Sequence, residues 1–184
     1  IWAVPFSLDR LETTGDPFLL TSHGVSPSVA QDGSLAYVPA QDDQPVQLAL
    51  FRRDGTLERT LGEPSRGMAA PVFSPDGQRI AYVAGDTATD VWVWDLAKGS
   101  ATRITVTPDD EADPLWVPGR NALAFDCVAA DGPAVCTKPA DGSGETKVLA
   151  HKAGGARVSP DGRHLLVDTN GQVRRGVLAL DLAD

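Results

Sequence analysis

One unit recurs along this chain, and that recurrence constrains the fold more than any other feature. Its clearest copy runs from Pro71 to Gly99. Pro71 to Ser74 is a short extended run that leads into Ser74-Pro75-Asp76-Gly77. This tetrapeptide is a turn with a physical cause. Pro75 presets φ for the first central position, Asp76 accepts backbone N–H groups, and Gly77 supplies a positive φ. A type I turn closed by a left-handed glycine joins two antiparallel strands, so Ile80 to Val83 reads as a second strand. Val91-Trp92-Val93-Trp94 reads as a third, with both tryptophans on one face and both valines on the other. Neither face is polar, so both are expected to be covered. After Lys98-Gly99, Thr102 to Val106 fits a fourth strand.

The turn position recurs at Gln31, Pro75, Pro118 and Pro160, in steps of 44, 43 and 42 residues. The apolar residue that opens the second strand recurs as Leu35, Ile80, Leu123 and Leu165, and the third strand lies around Leu48, Val91, Val135 and Val177. A period near 43 with four strands per copy predicts an all-β propeller of four-stranded antiparallel blades. Helical repeats do not fit, because 18 glycines and 14 prolines punctuate the chain. The copies fall roughly at 1–22, 25–62, 68–106, 113–149 and 155–182, within a single propeller domain or propeller segment spanning 1–184. The first copy supplies only third and fourth strands, and the last supplies three strands. That makes about four blades' worth, beginning and ending mid-blade. The expectation is either a segment of a larger propeller or a chain that self-associates through open blade edges. Two turns depart from the pattern: Ala30-Gln31-Asp32-Gly33 is a degraded copy, and Val117-Pro118-Gly119-Arg120 suits a type II turn.

A net charge of −9 argues against a nucleic-acid partner, whose backbone demands clustered Lys and Arg. No apolar run approaches the roughly 20 residues that a membrane-spanning helix needs, so this segment is not expected to insert into a membrane.

Phe73-Ser74-Pro75-Asp76-Gly77 with Ile80-Ala81-Tyr82, Val158-Ser159-Pro160-Asp161-Gly162 with Leu165-Leu166-Val167, and Trp94-Asp95-Leu96 resemble the propeller repeats of TolB and its relatives. The resemblance covers essentially the whole chain. A narrower one links the segment Ile1 to Pro17, and the segment Lys138 to Glu145, to bacterial serine/threonine protein kinases that carry such a propeller after the kinase domain. The chain itself contains no glycine-rich phosphate loop and no His-Arg-Asp catalytic loop. The resemblance implies a non-catalytic accessory module for sensing or scaffolding, with a protein or peptide partner and no cofactor. Because TolB is periplasmic, it also implies an extracytoplasmic setting. Related propellers gate access to the hydrolase domain of prolyl-oligopeptidase-like enzymes, and that reading would need a hydrolase domain elsewhere in the gene product.

Candidate sites are few. Cys127 and Cys136 lie symmetrically about Asp131-Gly132. A hairpin turning there would place them opposite each other at a non-hydrogen-bonded pair, close enough for a disulfide. Pro133 opposes this arrangement, because the tight turn wants an N–H at that position. Two buried free thiols are the alternative. A disulfide would favour an extracytoplasmic location.

The loops entering each first strand lie on one face, around the channel. They carry His23, Arg66, Met68, Asp109, Asp110, Glu111, Asp113 and His151. A metal or cationic ligand at the channel mouth is the sharp reading of these residues, and would suit a metal-dependent hydrolase or lyase. A solvated acidic loop with surface histidines is the bland one. Ser74, Ser159, Asp76 and Asp161 belong to turns, and no Gly-x-Ser-x-Gly elbow is present. Trp2, Trp92, Trp94 and Trp116 are expected between blades, and His164 is expected to be exposed.

Overall fold

The structure is a computed structural model that describes residues 1–22, 24–30, 33–39, 45–170 and 175–182. Regular structure among the described residues is entirely strand. The chain opens with a ribbon of β1 (Trp2–Ala3), β2 (Phe6–Ser7), β3 (Glu12–Thr13) and β4 (Phe18–Leu19), in which β1 pairs with β4 and β2 with β3. Three four-stranded antiparallel meanders follow. The first contains β5 (Gly24–Val29), β6 (Leu35–Pro39), β7 (Val46–Phe51) and β8 (Leu57–Ser65). The second contains β9 (Ala69–Phe73), β10 (Arg79–Ala84), β11 (Asp90–Asp95) and β12 (Ser100–Arg103). The third contains β13 (Ala112–Trp116), β14 (Ala122–Ala129), β15 (Gly132–Pro139) and β16 (Lys147–His151). A three-stranded sheet of β17 (Ala153–Val158), β18 (His164–Asn170) and β19 (Arg175–Asp181) completes the array. The sheets are the blades of a β-propeller.

The turns take the form their residues dictate. Gly77 N–H donates to the Ser74 carbonyl at 2.8 Å with φ +68°, and Gly162 repeats this on Ser159 at 2.8 Å with φ +70°. The Ser74 hydroxyl donates to Asp76 Oδ1 at 2.5 Å and accepts the Arg79 N–H at 2.9 Å. Ser159 bridges Asp161 and His164 in the same way. Hydrogen bonds from the serine hydroxyls, then from backbone N–H groups, hold the Asp76 and Asp161 carboxyls below the usual carboxylate range. Gly119 has φ +74° and Arg120 N–H reaches the Val117 carbonyl at 3.1 Å, as a type II turn requires. In the degraded turn, Gln31 and Asp32 lie outside the described residues.

The first strands of successive blades are neighbours: β5 against β9, β9 against β13, β13 against β17. The blades therefore stack face to face around the axis that these strands line. Because strand side chains alternate, each middle strand presents one apolar set forward and another back. Ala36, Leu48 and Leu50 of the first blade meet Ile80, Tyr82, Trp92 and Trp94 of the second. Ala81, Val83, Val91 and Val93 meet Leu123, Phe125, Cys127 and Cys136 of the third. Ala124 and Val135 meet Leu165, Val167 and Leu180 of the fourth. Fully burying one such large apolar side chain contributes roughly 1.5–3 kcal/mol.

Three tryptophans serve this packing. Trp92 and Trp94 are half-buried between blades, and Trp116 is buried with its Nε1 donating to the Val72 carbonyl. Gly62 shows how closely Trp94 fits, since a Cβ there would lie 2.9 Å from the ring. Trp2 departs from expectation. It pairs with Leu19 on the outer face of the ribbon and stays 67% exposed, while its neighbours Ile1 and Ala3 are half-buried. His164 is exposed.

Ser74 is the buried centre of its turn, only 4% exposed. Ser74→Ala removes a buried hydroxyl with three polar contacts and should cost about 1–3 kcal/mol, read as a lower urea midpoint. Ser159→Ala, in a more exposed copy of the turn, should cost less. An unchanged midpoint for Ser74→Ala would contradict the role assigned to the turn.

Candidate ligand-binding site

Each innermost strand carries the same irregularity. Register shifts occur between Val25 and Ser28, between Ala112 and Leu115, and between Gly154 and Arg157, with a matching shift where β9 meets β10. The bulged residue is left-handed in every blade: Ser26 (φ 51°), Ala70 (φ 49°), Asp113 (φ 47°) and Gly155 (φ 61°). Three of the four are not glycine, and holding such residues there costs on the order of 1–3 kcal/mol each. Bulges of this kind re-aim backbone and side chains beside functional sites. The reading of the chain missed them, although a signal was present. Ser26-Pro27, Ala70-Pro71 and Asp113-Pro114 repeat the same X-Pro step at the same spacing as the turns.

Strand alternation brings the loops before the first strands to one end of the propeller, together with the hairpins that join second and third strands. The acidic run predicted there is split apart by its own hydrogen bonds. Asp109 is exposed. Asp110 accepts the Thr89 N–H at 2.8 Å and the Thr89 hydroxyl at 3.0 Å. Glu111 turns inward and is 3% exposed. It accepts the Thr105 hydroxyl at 2.8 Å and the Thr107 hydroxyl, and its N–H donates to the Thr89 carbonyl. Burial, aided by the Asp90 and Asp109 charges, pushes the Glu111 carboxyl above its ordinary value despite those two hydroxyl donors. Asp113 sits on β13 in the left-handed conformation. Met68 is a core residue at 7% exposure, packed where the first two blades meet, and Arg66 is exposed. His151 is exposed on the third blade, with its Nδ1 2.8 Å from Asp131 Oδ1. This contact holds the Asp131 carboxyl below the usual range. His23 lies outside the described residues. Among the described residues, no group of three or more His, Cys, Asp or Glu side chains is placed to hold a metal.

Cys127 and Cys136 form a disulfide with Cα atoms 5.9 Å apart. The hairpin register differs from the expected one. Cys127 pairs with Ala134 and Phe125 with Cys136, so the turn is centred on Ala130-Asp131. Pro133 then falls in the strand, opposite Val128, and no longer has to supply the turn's N–H. The two cysteines are diagonal neighbours on one face of the hairpin, within bridging reach.

A cleft of about 640 Å³ opens between the third and fourth blades. Asp126, Asp131, Asp168 and Lys152 line it, and Gly154-Gly155 forms part of its wall. Asp126 Oδ2 accepts the Gly155 N–H at 3.0 Å. Its Oδ1 is shut off from solvent and has no hydrogen-bond partner among the described residues. Burial is the main cause that raises the Asp126 carboxyl above the ordinary aspartate value. The Gly155 N–H opposes this and the Asp113 charge reinforces it. In the cleft, acidic side chains from two blades come together with the Gly154-Gly155 backbone.

No family model matches the chain. Among solved structures it is similar to TolB from Acinetobacter baumannii, at 14% identity over 96% of this chain and 45% of that one, with a TM-score of 0.73. It is also similar to a chain of the nidogen–laminin complex, at 14% identity over 98% of this chain and 70% of that one, with a TM-score of 0.70. A prolyl endopeptidase matches at 16% identity over 88% of this chain and 28% of its own, with a TM-score of 0.66. The chain spans about half the length of the TolB structures it matches. These likenesses establish the fold, an all-β propeller like that of TolB.

A raised carboxyl value makes folding favour the protonated form, so its contribution to stability fades as pH rises through that value. For Glu111 the window opens at the ordinary glutamate value of 4.5 and extends upward. Glu111→Gln, which does not titrate, should therefore gain stability relative to wild type as pH rises across that window. Urea unfolding at a series of pH values reads the change, and a variant that lost stability relative to wild type with rising pH would contradict the assignment.

Proposed function

We propose that this chain is a non-catalytic binding module that holds a protein or peptide partner on its loop face. The observation that carries the reading is the cleft between the third and fourth blades, which opens on that face and joins backbone to acidic side chains from two blades. Propellers host many unrelated functions, so the site carries the reading and the fold does not. The similar nidogen chain comes from a complex with laminin, which supports a propeller surface as a protein-binding surface.

The module is an accessory sensing or scaffolding domain of a larger bacterial protein. Serine/threonine kinases are the candidates that Ile1 to Pro17 and Lys138 to Glu145 resemble. An extracytoplasmic location is supported by the Cys127–Cys136 disulfide, since oxidising compartments are where such bonds persist. The bond also braces the hairpin whose Asp131 lines the cleft.

Peptide selection on the purified domain, followed by hydrogen exchange with the best binder, tests this reading. Protection should concentrate at residues 85–89, 105–111, 129–132 and 151–155. A selection that yields no binder, or protection confined to the turn face around Ser74 and Ser159, would overturn it.

A further inference from the structure

We infer that this chain associates with a second copy of itself, the outer face of the ribbon of one copy stacking on the uncovered face of the fourth blade of the other.

The ribbon is the outer half of a blade. The Leu20 and Thr21 N–H groups both donate to the Ile1 carbonyl, at 3.0 and 3.3 Å, as the Ile104 and Thr105 N–H groups both donate to the Val91 carbonyl, at 2.8 and 3.4 Å. Trp2 pairs with Leu19 as Trp92 pairs with Arg103. The pair β1–β4 thus repeats the pair β11–β12, and Trp2 stands where Trp92 stands in the second blade. Ile1 corresponds to Val91 and faces the first blade, where a Cβ on Gly24 would lie 2.8 Å from its Cδ1. Trp92 points the other way and packs with Leu48 and Leu50 of the blade before it. Trp2 points as Trp92 does, its cross-strand partner Leu19 shares that face, and both are exposed.

The fourth blade offers the matching face. Leu166 occupies the repeat position of Ala36, Ala81 and Ala124, and Val177 that of Leu48, Val91 and Val135. Those six residues are covered by the next blade and are at most 1% exposed, whereas Leu166 is 45% and Val177 63% exposed. Contiguous exposed apolar faces mark interaction surfaces. These two are the halves of a junction that the molecule already builds between its own blades.

The side chains say which partner fits. Inside the molecule a small residue on one second strand meets a large one on the next, as Ala81 meets Leu123. A complete blade laid on the fourth would set its large second-strand residue against Leu166 and overpack the contact. The ribbon brings no such strand, since among the described residues β1 pairs with β4 alone. Leu166, larger than the alanine of the other blades, fills the space that strand would take. The occupant suited to this face is therefore a ribbon like the one this chain carries. Both faces are exposed within one copy, so the contact forms between copies. It joins two different surfaces, and closes into a ring or runs on according to the rotation it imposes.

Sedimentation equilibrium over a concentration series tests the inference. The wild-type chain should reach the mass of two chains or more. Trp2→Glu and Val177→Glu each place a charge in one half of the contact, and each should weaken association roughly tenfold or more. An equimolar mixture of the two variants should recover a species containing one chain of each, because Trp2 of the Val177→Glu copy still meets Val177 of the Trp2→Glu copy. Both positions are exposed, so both variants should keep the wild-type urea midpoint at dilution. If either unfolds, Leu19→Glu or Leu166→Glu takes its place. A wild-type chain that stays monomeric at every concentration would overturn the inference. So would a single variant that associates as strongly as wild type, or a mixture that stays monomeric.

Discussion

Face-to-face stacking of the blades is the constraint on which the rest of this molecule depends. A lone four-stranded meander has two apolar faces and no way to bury either. Here Ile80 and Tyr82 point back into the first blade while Ala81 and Val83 point forward into the third. On the second strands a small forward residue faces a large backward one at each junction: Ala36 meets Ile80, Ala81 meets Leu123, Ala124 meets Leu165. Single buried side chains thus belong to two blades at once. Phe125, with no exposed surface, packs its own blade against Val91 and Val93 of the preceding one.

The same stacking explains why the loop face can vary. Strand positions answer to two neighbours, whereas loops at the channel end answer only to local hydrogen bonds. Thr89, Thr105 and Glu111 lock one such loop set without any metal ligand geometry. A left-handed residue recurs at one position of the innermost strand in each of the four blades, at Ser26, Ala70, Asp113 and Gly155.

Much of the fold was legible because its causes are local. Ser-Pro-Asp-Gly carries its turn geometry in its own residues, and Val91-Trp92-Val93-Trp94 declares two covered faces. The site was less legible because its causes are not local. Spacing placed Asp109 to Asp113 in one loop but could not say that Glu111 would turn inward onto two threonine hydroxyls. Met68 read as a channel residue and is core, because the entry into β9 passes between blades. The Cys127–Cys136 bridge was weighed from the right hairpin in the wrong register, a slip of one residue in the turn centre that only cross-strand pairing resolves.

Native-state hydrogen exchange on Phe125→Ala tests the dependence on stacking most directly. The substitution removes a fully buried ring and should cost about 3–5 kcal/mol. If blades are stabilised through their shared faces, amides of β10 and β11 lose protection together with those of β14 and β15. Loss confined to β14 and β15, with the second blade unchanged, would mean that the blades stand independently, and would contradict stacking as the source of the fold's stability.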